Sequence, residues 1–388
     1  MWVNSGVGRL CEALARRCAH LTAALSRAPR RLAAHEMPLS RRNTEVVPMP
    51  WVSGIAEGFF QARSARRVLR RIEPDCDALI VQMPFAAVAA LANPRTPRVY
   101  HVCADVRSIV AESDRYRGWR RLAAAGLAGH LDRRQARLIA DRGARLVANG
   151  SDLLQRYGPE RGRAVVSSTL AAEEIGSLRR ERPADAPWRV LFVGFLRHEK
   201  GIDVLLDAFQ RLLVDRPDAE LEIIGAVDVH DHGIDAQIQE AVRDIGARGA
   251  IRMQGHLPFG PQLFRRYAEA DVCVVPSRSE GTPRVLVEAR AFGCPVVASR
   301  VGGIPTSIDD EVDGLLVPSG DAAALHRALL RLSADLHLRR RLVQAGFERA
   351  RRTTVDHLAD VLATEAVRAV QQFSAFGVVR PAGTSHSS

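Results

Sequence analysis

Lysine is almost absent from this chain: of 55 basic residues in 388, only Lys200 is a lysine. Long apolar runs are missing too. No stretch approaches the ~18 residues that a membrane-spanning helix needs. Arg9, Glu12, Arg16 and Arg17 interrupt the start, where an apolar signal core would lie. Six cysteines (Cys11, Cys18, Cys76, Cys103, Cys273, Cys294) are scattered without a CxxC pair. That argues against a zinc site or a disulfide framework and suits a reducing compartment. Small buried apolar side chains are their expected role. Aromatics are scarce at 5%, and no basic clusters interleaved with stacking aromatics occur, so nucleic acid is not an expected partner.

What is present describes a folded, two-domain protein. The length exceeds one ordinary compact domain, and 47% hydrophobic with 26% charged residues suits a globular chain. Charge is unevenly placed. Residues 1–150 hold 25 arginines against 12 acidic residues, whereas the remainder has 30 basic and 32 acidic ones. A basic first half suits an anionic partner such as a lipid surface or a phosphorylated acceptor; a solvated arginine-rich surface is the plain alternative.

Residues 188–319 alternate regularly. Strand-like runs WRVLFVGF (188–195), AELEIIGA (219–226), AIRMQGH (250–256), DVCVVPS (271–277), CPVVAS (294–299) and GLLVPS (314–319) are separated by helix-period segments at 202–213, 234–245, 261–270 and 283–292. Short strands alternating with helices predict a parallel sheet covered on both faces. The first half is similar, with strands expected at 20–26, 44–50, 78–83, 98–102, 144–149 and 164–169, and helices at 6–18, 59–72 and 119–142. The chain opens on a turn and helix, MWVNSGVGRLCEAL, without the strand that usually feeds them in a doubly wound domain. Either the start is late or that strand is lacking. SGVGRLC is not GxGxxG, because Cys11 stands where the third glycine belongs. The resulting division is 1–180, a linker at 181–188, a second domain at 189–350, a helix at 351–375 that packs back on the first, and a disordered tail at 376–388.

Ligands of parallel α/β sheets bind outside the carboxyl ends of the strands. Three such ends are distinctive. In GFLRHEKG, Gly201 opens a helix whose free N–H groups face the cleft, and Lys200 adds a compact charge suited to a phosphate. In SRSEGTPRVLVEARAFGCP, Glu280 lies in the loop and Glu288 in the second helical turn; between them the amides of Thr282, Arg284 and Val285 offer an anion cradle. Carboxylates flanking such a cradle suit sugar hydroxyls. In RVGGIP, Gly302 and Gly303 let backbone approach the same cleft. DVHDHG (228–233) has HxH spacing but no third well-placed ligand and reads as a polar loop.

Together, VGFLRHEKG, SRSEGTPRVLVEA, AFGCPVVASRVGGIP and DGLLVPSGD resemble family 4 of the retaining glycosyltransferases, which have the two-domain GT-B architecture. The motifs cover about 188–321, with Glu280 and Glu288 as the family's E-x7-E pair; the first half is similar in layout alone. The resemblance implies two doubly wound Rossmann-like domains facing across a cleft, and a nucleoside diphosphate sugar as co-substrate with no cofactor or metal. It assigns Lys200 to the diphosphate, Glu288 to the ribose hydroxyls and Glu280 to the transferred sugar. Gly281, Thr282 and Val285 would supply loop amides, Gly302 and Gly303 would line the cleft, and Gly255 and His256, within 254–257, would rim the base pocket. The family's usual arginine after the first strand's glycine is Phe195 here, and Arg197 is the candidate substitute. On the acceptor side, Gly6 and Gly8 fit a glycine-rich loop. His101 and Asp105 lie at a strand end as further candidates, and Gln82 stands where many relatives place a histidine. The expected activity is transfer of a sugar to a saccharide or lipid-linked acceptor in cell-surface polysaccharide or glycoconjugate synthesis. The expected location is cytoplasmic, in contact with the inner membrane face through the basic half. A nucleotide-binding protein that has lost transfer is the alternative.

Overall fold

The computed structural model describes residues 2–26, 36–50, 55–83, 96–111, 118–141, 143–166, 168–178, 186–226, 240, 243 and 249–375. Residues 228–233, most of the expected helix over 234–245, residues 181–185 and the tail lie outside them.

The first half runs β1 (Trp2–Asn4), α1 (Ser5–Ala15), β2 (Leu21–Ser26), β3 (Glu36–Pro38), β4 (Thr44–Met49), α2 (Ile55–Ile72), β5 (Leu79–Met83), β6 (Arg98–Val102), α3 (Val106–Ala111), α4 (Trp119–Ile139), β7 (Ala144–Asn149), α5 (Ser151–Tyr157) and β8 (Gly162–Val165). Strands β5 to β8 form a parallel sheet in sequence order, and β2 pairs with β4 in a separate parallel ribbon. At the start one expectation is refined and one is corrected. A short strand does precede the first helix, but β1 pairs antiparallel with β3 and joins neither parallel sheet. Gly6 and Gly8 lie in the first turn of α1, not in a loop. Each glycine costs a helix about 1 kcal/mol relative to alanine; burial of Ala13 and Leu14, with Leu10 packed beside them, offsets that cost. Strand β8 begins at Gly162 instead of Ala164, because its pairing with β7 starts at Leu146. A Cβ at 162 would lie 2.3 Å from the Leu146 carbonyl oxygen, so only glycine admits that approach.

The second half runs β9 (Arg189–Val193), α6 (Ile202–Asp215), β10 (Glu220–Ile224), β11 (Ile251–Gly255), α7 (Pro261–Glu269), β12 (Val272–Val275), α8 (Arg284–Ala291), β13 (Val296–Ser299), α9 (Ile304–Ser307), β14 (Leu315–Val317), α10 (Ala322–Ala334), α11 (Leu336–Arg351) and α12 (Val355–Ala375). Its six strands form one parallel sheet in the order β11-β10-β9-β12-β13-β14. Side chains alternate between two cores, as a sheet covered on both faces requires. Val190, Phe192, Val272 and Val274 pack with Leu205, Phe209 and Leu329 on one face. Leu191, Cys273 and Val275 pack with Leu263, Tyr267 and Leu286 on the other. Two Rossmann-like α/β units result, as the sequence pattern predicts.

Helix α12 returns to the first unit. Val355, Leu358 and Leu362 share a core with Val99, Val147 and Ala13, while Arg16 and Arg17 pair with Asp356 and Asp360 at 2.6 Å. The fully buried Glu365 accepts from Arg145, Arg163 and Arg368.

Candidate functional site

The strand order of the larger sheet reverses between β9 and its neighbour β12, while β10 lies on the other side of β9. The loops leaving β9 and β12 lead to helices on opposite faces of the sheet, and such a switch point is where ligands of parallel sheets bind. This topology brings together two residues 80 apart in sequence: Lys200 Nζ donates to Glu280 Oε1 at 2.6 Å.

Both loops are pinned. After β9 the chain continues through a 3-10 turn, His198–Lys200, into Gly201, which has φ +66° and ψ 32°. A Cβ there would sit 2.0 Å from the Pro276 carbonyl oxygen at the end of β12. The glycine is thus required both by its left-handed backbone and by the approach of the β12 loop. Arg278 fastens the same contact. Its N–H donates to the Glu199 carbonyl at 2.8 Å, and its guanidinium grips Asp203 through two bonds of 2.6 Å. The Lys200 turn is therefore held by the loop that carries Glu280.

Glu280 Oε1 also accepts from Ser277 Oγ at 3.0 Å. Behind the loop lies the glycine turn after β13. Gly302, at φ +50°, would place a Cβ 1.7 Å from the Glu280 carbonyl oxygen, and Gly303 donates to the Gly281 carbonyl at 3.1 Å. Gly281 is exposed at the rim and Thr282 and Val285 are half-buried beside it. Glu288, on α8, is 8% exposed and accepts from the buried Tyr267 hydroxyl at 2.9 Å on Oε2. Burial pushes its carboxyl up, opposed by Tyr267 and Arg284. Gly255 and His256 stand exposed at the end of β11. Phe195 is exposed at the end of β9, with the Arg197 guanidinium 5.1 Å from its ring centre and 3.5 Å from Glu199. The two side chains share a face because the chain is extended there and Leu196 points into the core between them.

From the first unit, Gly150 between β7 and α5 brings its backbone against Thr282: a Cβ would be 3.2 Å from Oγ1. Arg9 of α1 donates to the Thr169 carbonyl at 3.1 Å and to Glu174 at 2.6 Å, and its guanidinium lies 5.0 Å from the ring centre of Phe259. The acceptor-side candidates Gln82, His101 and Asp105 lie at the ends of β5 and β6, beside β7, whose end Asn149 donates to the Cys103 carbonyl at 3.3 Å. His101 is 2% exposed, and burial pushes its imidazole down to about 4, so it is neutral. Asp105 caps the Arg107 amide and pairs with Arg156, which also reaches Asp132. Gln82 donates to Cys103 Sγ at 3.3 Å. Gly6 and Gly8 are helical, as described above. Tyr267, Ser277 and Arg278 are missing from the sequence-based set. The one signal that could have found any of them is that a tyrosine on the apolar face of α7 must find a partner for its hydroxyl. Among the described residues, no group of three or more metal-ligating side chains forms a metal site, and no helix is long and apolar enough to cross a membrane.

Known proteins resemble this chain in sequence and in fold. Residues 187–335 match the family model described as "Glycosyl transferases group 1". A D-inositol 3-phosphate glycosyltransferase of Saccharomonospora viridis is 32% identical over 285 residues, covering 70% of this chain and 61% of that protein. The amylovoran biosynthesis glycosyltransferase AmsK of Erwinia amylovora is 38% identical over 154 residues, 38% of this chain and 36% of AmsK. The chain spans 51% of the Thermobifida fusca D-inositol 3-phosphate glycosyltransferase, about half its length. The fold matches sucrose-phosphate synthase of Thermosynechococcus elongatus, with a TM-score of 0.64 at 21% identity over 96% of this chain and 92% of that one. It also matches Anabaena HepE in complex with UDP-glucose, with a TM-score of 0.55 at 18% identity over 86% and 85%.

Proposed function

We propose that this chain is a retaining, metal-independent glycosyltransferase of the GT-B architecture that takes its sugar from a nucleoside diphosphate donor. The observation that carries the reading is the meeting of Lys200 and Glu280 at the switch point, 2.6 Å apart, with Glu288 one helix away. In this reading Lys200 and the helix N–H groups after Gly201 and Pro283 stabilise the diphosphate, assisted by Arg197. Glu280 Oε2 and the backbone of 281–285 position the sugar, Glu288 Oε1 takes the ribose hydroxyls, and Gly255 and His256 flank the base.

The acceptor hydroxyl attacks the anomeric carbon from the face that the diphosphate leaves. The carbon–oxygen bond to phosphate breaks, its electron pair stays on the phosphate oxygen, and the acceptor proton passes to that oxygen. No separate strong base is required. The approach of Gly150 to Thr282 supports a cleft that closes over the donor and limits hydrolysis.

The acceptor belongs with the arginine-rich first half. A phosphorylated or lipid-linked saccharide in polysaccharide or glycoconjugate synthesis suits that charge, and the name of the Saccharomonospora relative carries a phosphorylated acceptor. Trp119 and Leu122, exposed on the first turns of α4 beside the exposed Arg121, support contact with an anionic membrane from the cytoplasmic side. Phe195 in the place of an arginine favours a second reading, nucleotide binding without transfer.

The test is nucleotide release from UDP-, GDP- and ADP-sugars, with wild type beside Lys200→Met and Glu280→Gln. Slow release from one donor, lost in both variants, is the expected result. Nucleotide binding without release, even with saccharide and lipid-linked acceptors supplied, would favour the second reading. Release that survives Lys200→Met would refute the donor assignment.

A further inference from the structure

We infer that Glu280 is the site's resident anion: it pairs with Lys200 and sets the preference for sugar-bearing donor over the free nucleoside diphosphate left after transfer. This rests on the donor reading above and adds to it a role in product release.

Two anions are made to share one cation. The Lys200 ammonium has three donors, and one is already committed to Glu280 Oε1 at 2.6 Å. A phosphate oxygen bonded to the same ammonium at ~2.8 Å lies within about 5.5 Å of that carboxylate oxygen. The backbone beneath both partners is held. The Lys200 turn is locked by Gly201 against Pro276 and by Arg278. The Glu280 loop is locked by Gly302 behind its carbonyl, and its carboxylate by Ser277. The side chains of Lys200 and Glu280 are 24% and 11% exposed, so solvent screens the resulting repulsion only in part.

A donor and its product differ in what they give back. Oε1 takes both existing bonds, and among the described residues no donor meets Oε2. Hydroxyls of a bound sugar can donate to Oε2 and offset the repulsion between carboxylate and diphosphate. Once the sugar has left, the diphosphate faces the same carboxylate with no such bonds. Glu280 thereby weakens the product specifically, in a site whose amides and lysine would otherwise retain it.

The experiment measures dissociation constants of UDP, GDP and ADP, and of their sugar conjugates, for wild type, Glu280→Gln, Glu280→Ser and Lys200→Met. The nucleotide that wild type binds should bind Glu280→Gln about five- to tenfold more tightly, as expected for relief of one partly screened like-charge contact. Its sugar conjugate should gain nothing, so the donor-to-product preference falls by the same factor. Glu280→Ser removes the same charge and reads the same sign should the glutamine variant fail to fold. Nucleotide binding that is unchanged or weaker in the folded Glu280 variants overturns the inference while leaving the donor site standing. Nucleotide binding that ignores Lys200→Met, or none in wild type, overturns the donor reading itself.

Discussion

Gly201→Ala separates the two demands made on this glycine. The backbone at φ +66° and ψ 32° costs a side-chain-bearing residue roughly 1–2 kcal/mol. Its Cβ would also lie 2.0 Å from the Pro276 carbonyl oxygen and 2.9 Å from the carbonyl carbon. To reach ordinary contact, the Pro276 backbone must retreat by more than an ångström, a strain of the size seen on overfilling a packed interior, about 1–3 kcal/mol. The expected loss of stability is therefore about 3 kcal/mol. The retreating segment carries Ser277, Arg278 and Glu280, so nucleotide affinity should fall with it. Gly320→Ala is the control. It has φ +78° with nothing within 4 Å of the added Cβ, so it should lose only the backbone part, about 1–2 kcal/mol, and leave nucleotide binding unchanged. Urea denaturation and calorimetric titration with the nucleoside diphosphate measure both quantities. Equal losses in the two variants, or full nucleotide affinity in Gly201→Ala, would refute the pinned-loop account.

Other consequences are equally direct. Arg278→Met removes the fork on Asp203, a pair half-open to solvent, so stability should change by less than about 1 kcal/mol. Nucleotide affinity should nevertheless drop severalfold, and Lys200→Met should cost less in that background than in wild type, which a double-mutant binding cycle reads. Glu365→Gln leaves Arg145, Arg163 and Arg368 without their shared carboxylate. Because the last two arginines can turn to water, the loss in chemical denaturation should be about 2–3 kcal/mol, at the low end for a broken buried pair. His101 has a folded-state value of about 4 against an ordinary 6.5, so the unfolded chain binds the extra proton in that window. Stability should fall as pH drops from 6.5 towards 4, by up to about 3 kcal/mol, and His101→Gln should remove that part of the slope. Trp119→Ser with Leu122→Ser should release the protein from phosphatidylglycerol vesicles in a sedimentation assay while leaving nucleotide binding intact; retention equal to wild type would refute a membrane role for that face.

The second unit was legible because its strands are buried on both faces and therefore read as continuous apolar runs such as VLFV and VCVV. Strand order was not legible, yet it is what joins Lys200 to Glu280. The motifs placed both residues at strand ends, and the reversal of order at β9 and β12 brings those ends together. Partners of long sequence separation left no local trace: Asp203 for Arg278, Phe259 for Arg9. The first half was harder. Strands β1 and β3 are three residues each, too short to show a period. Gly6 and Gly8 suggested a loop, because tertiary packing of α1 against α12 outweighs their low helix propensity. His101 and Asp105 stand near a strand end in the sequence; burial of one and ion pairing of the other depend on neighbours that the sequence does not display.

The central claim is that a nucleoside diphosphate sits between the Lys200 turn and the Glu280 loop. A crystal structure with the nucleotide that binds in titration tests it most directly. The account predicts phosphate oxygens within hydrogen-bond distance of Lys200 Nζ and the amides of 281–285, with the ribose hydroxyls on Glu288. Nucleotide density elsewhere, for instance on the arginine-rich first half with Lys200 still paired to Glu280, would contradict it.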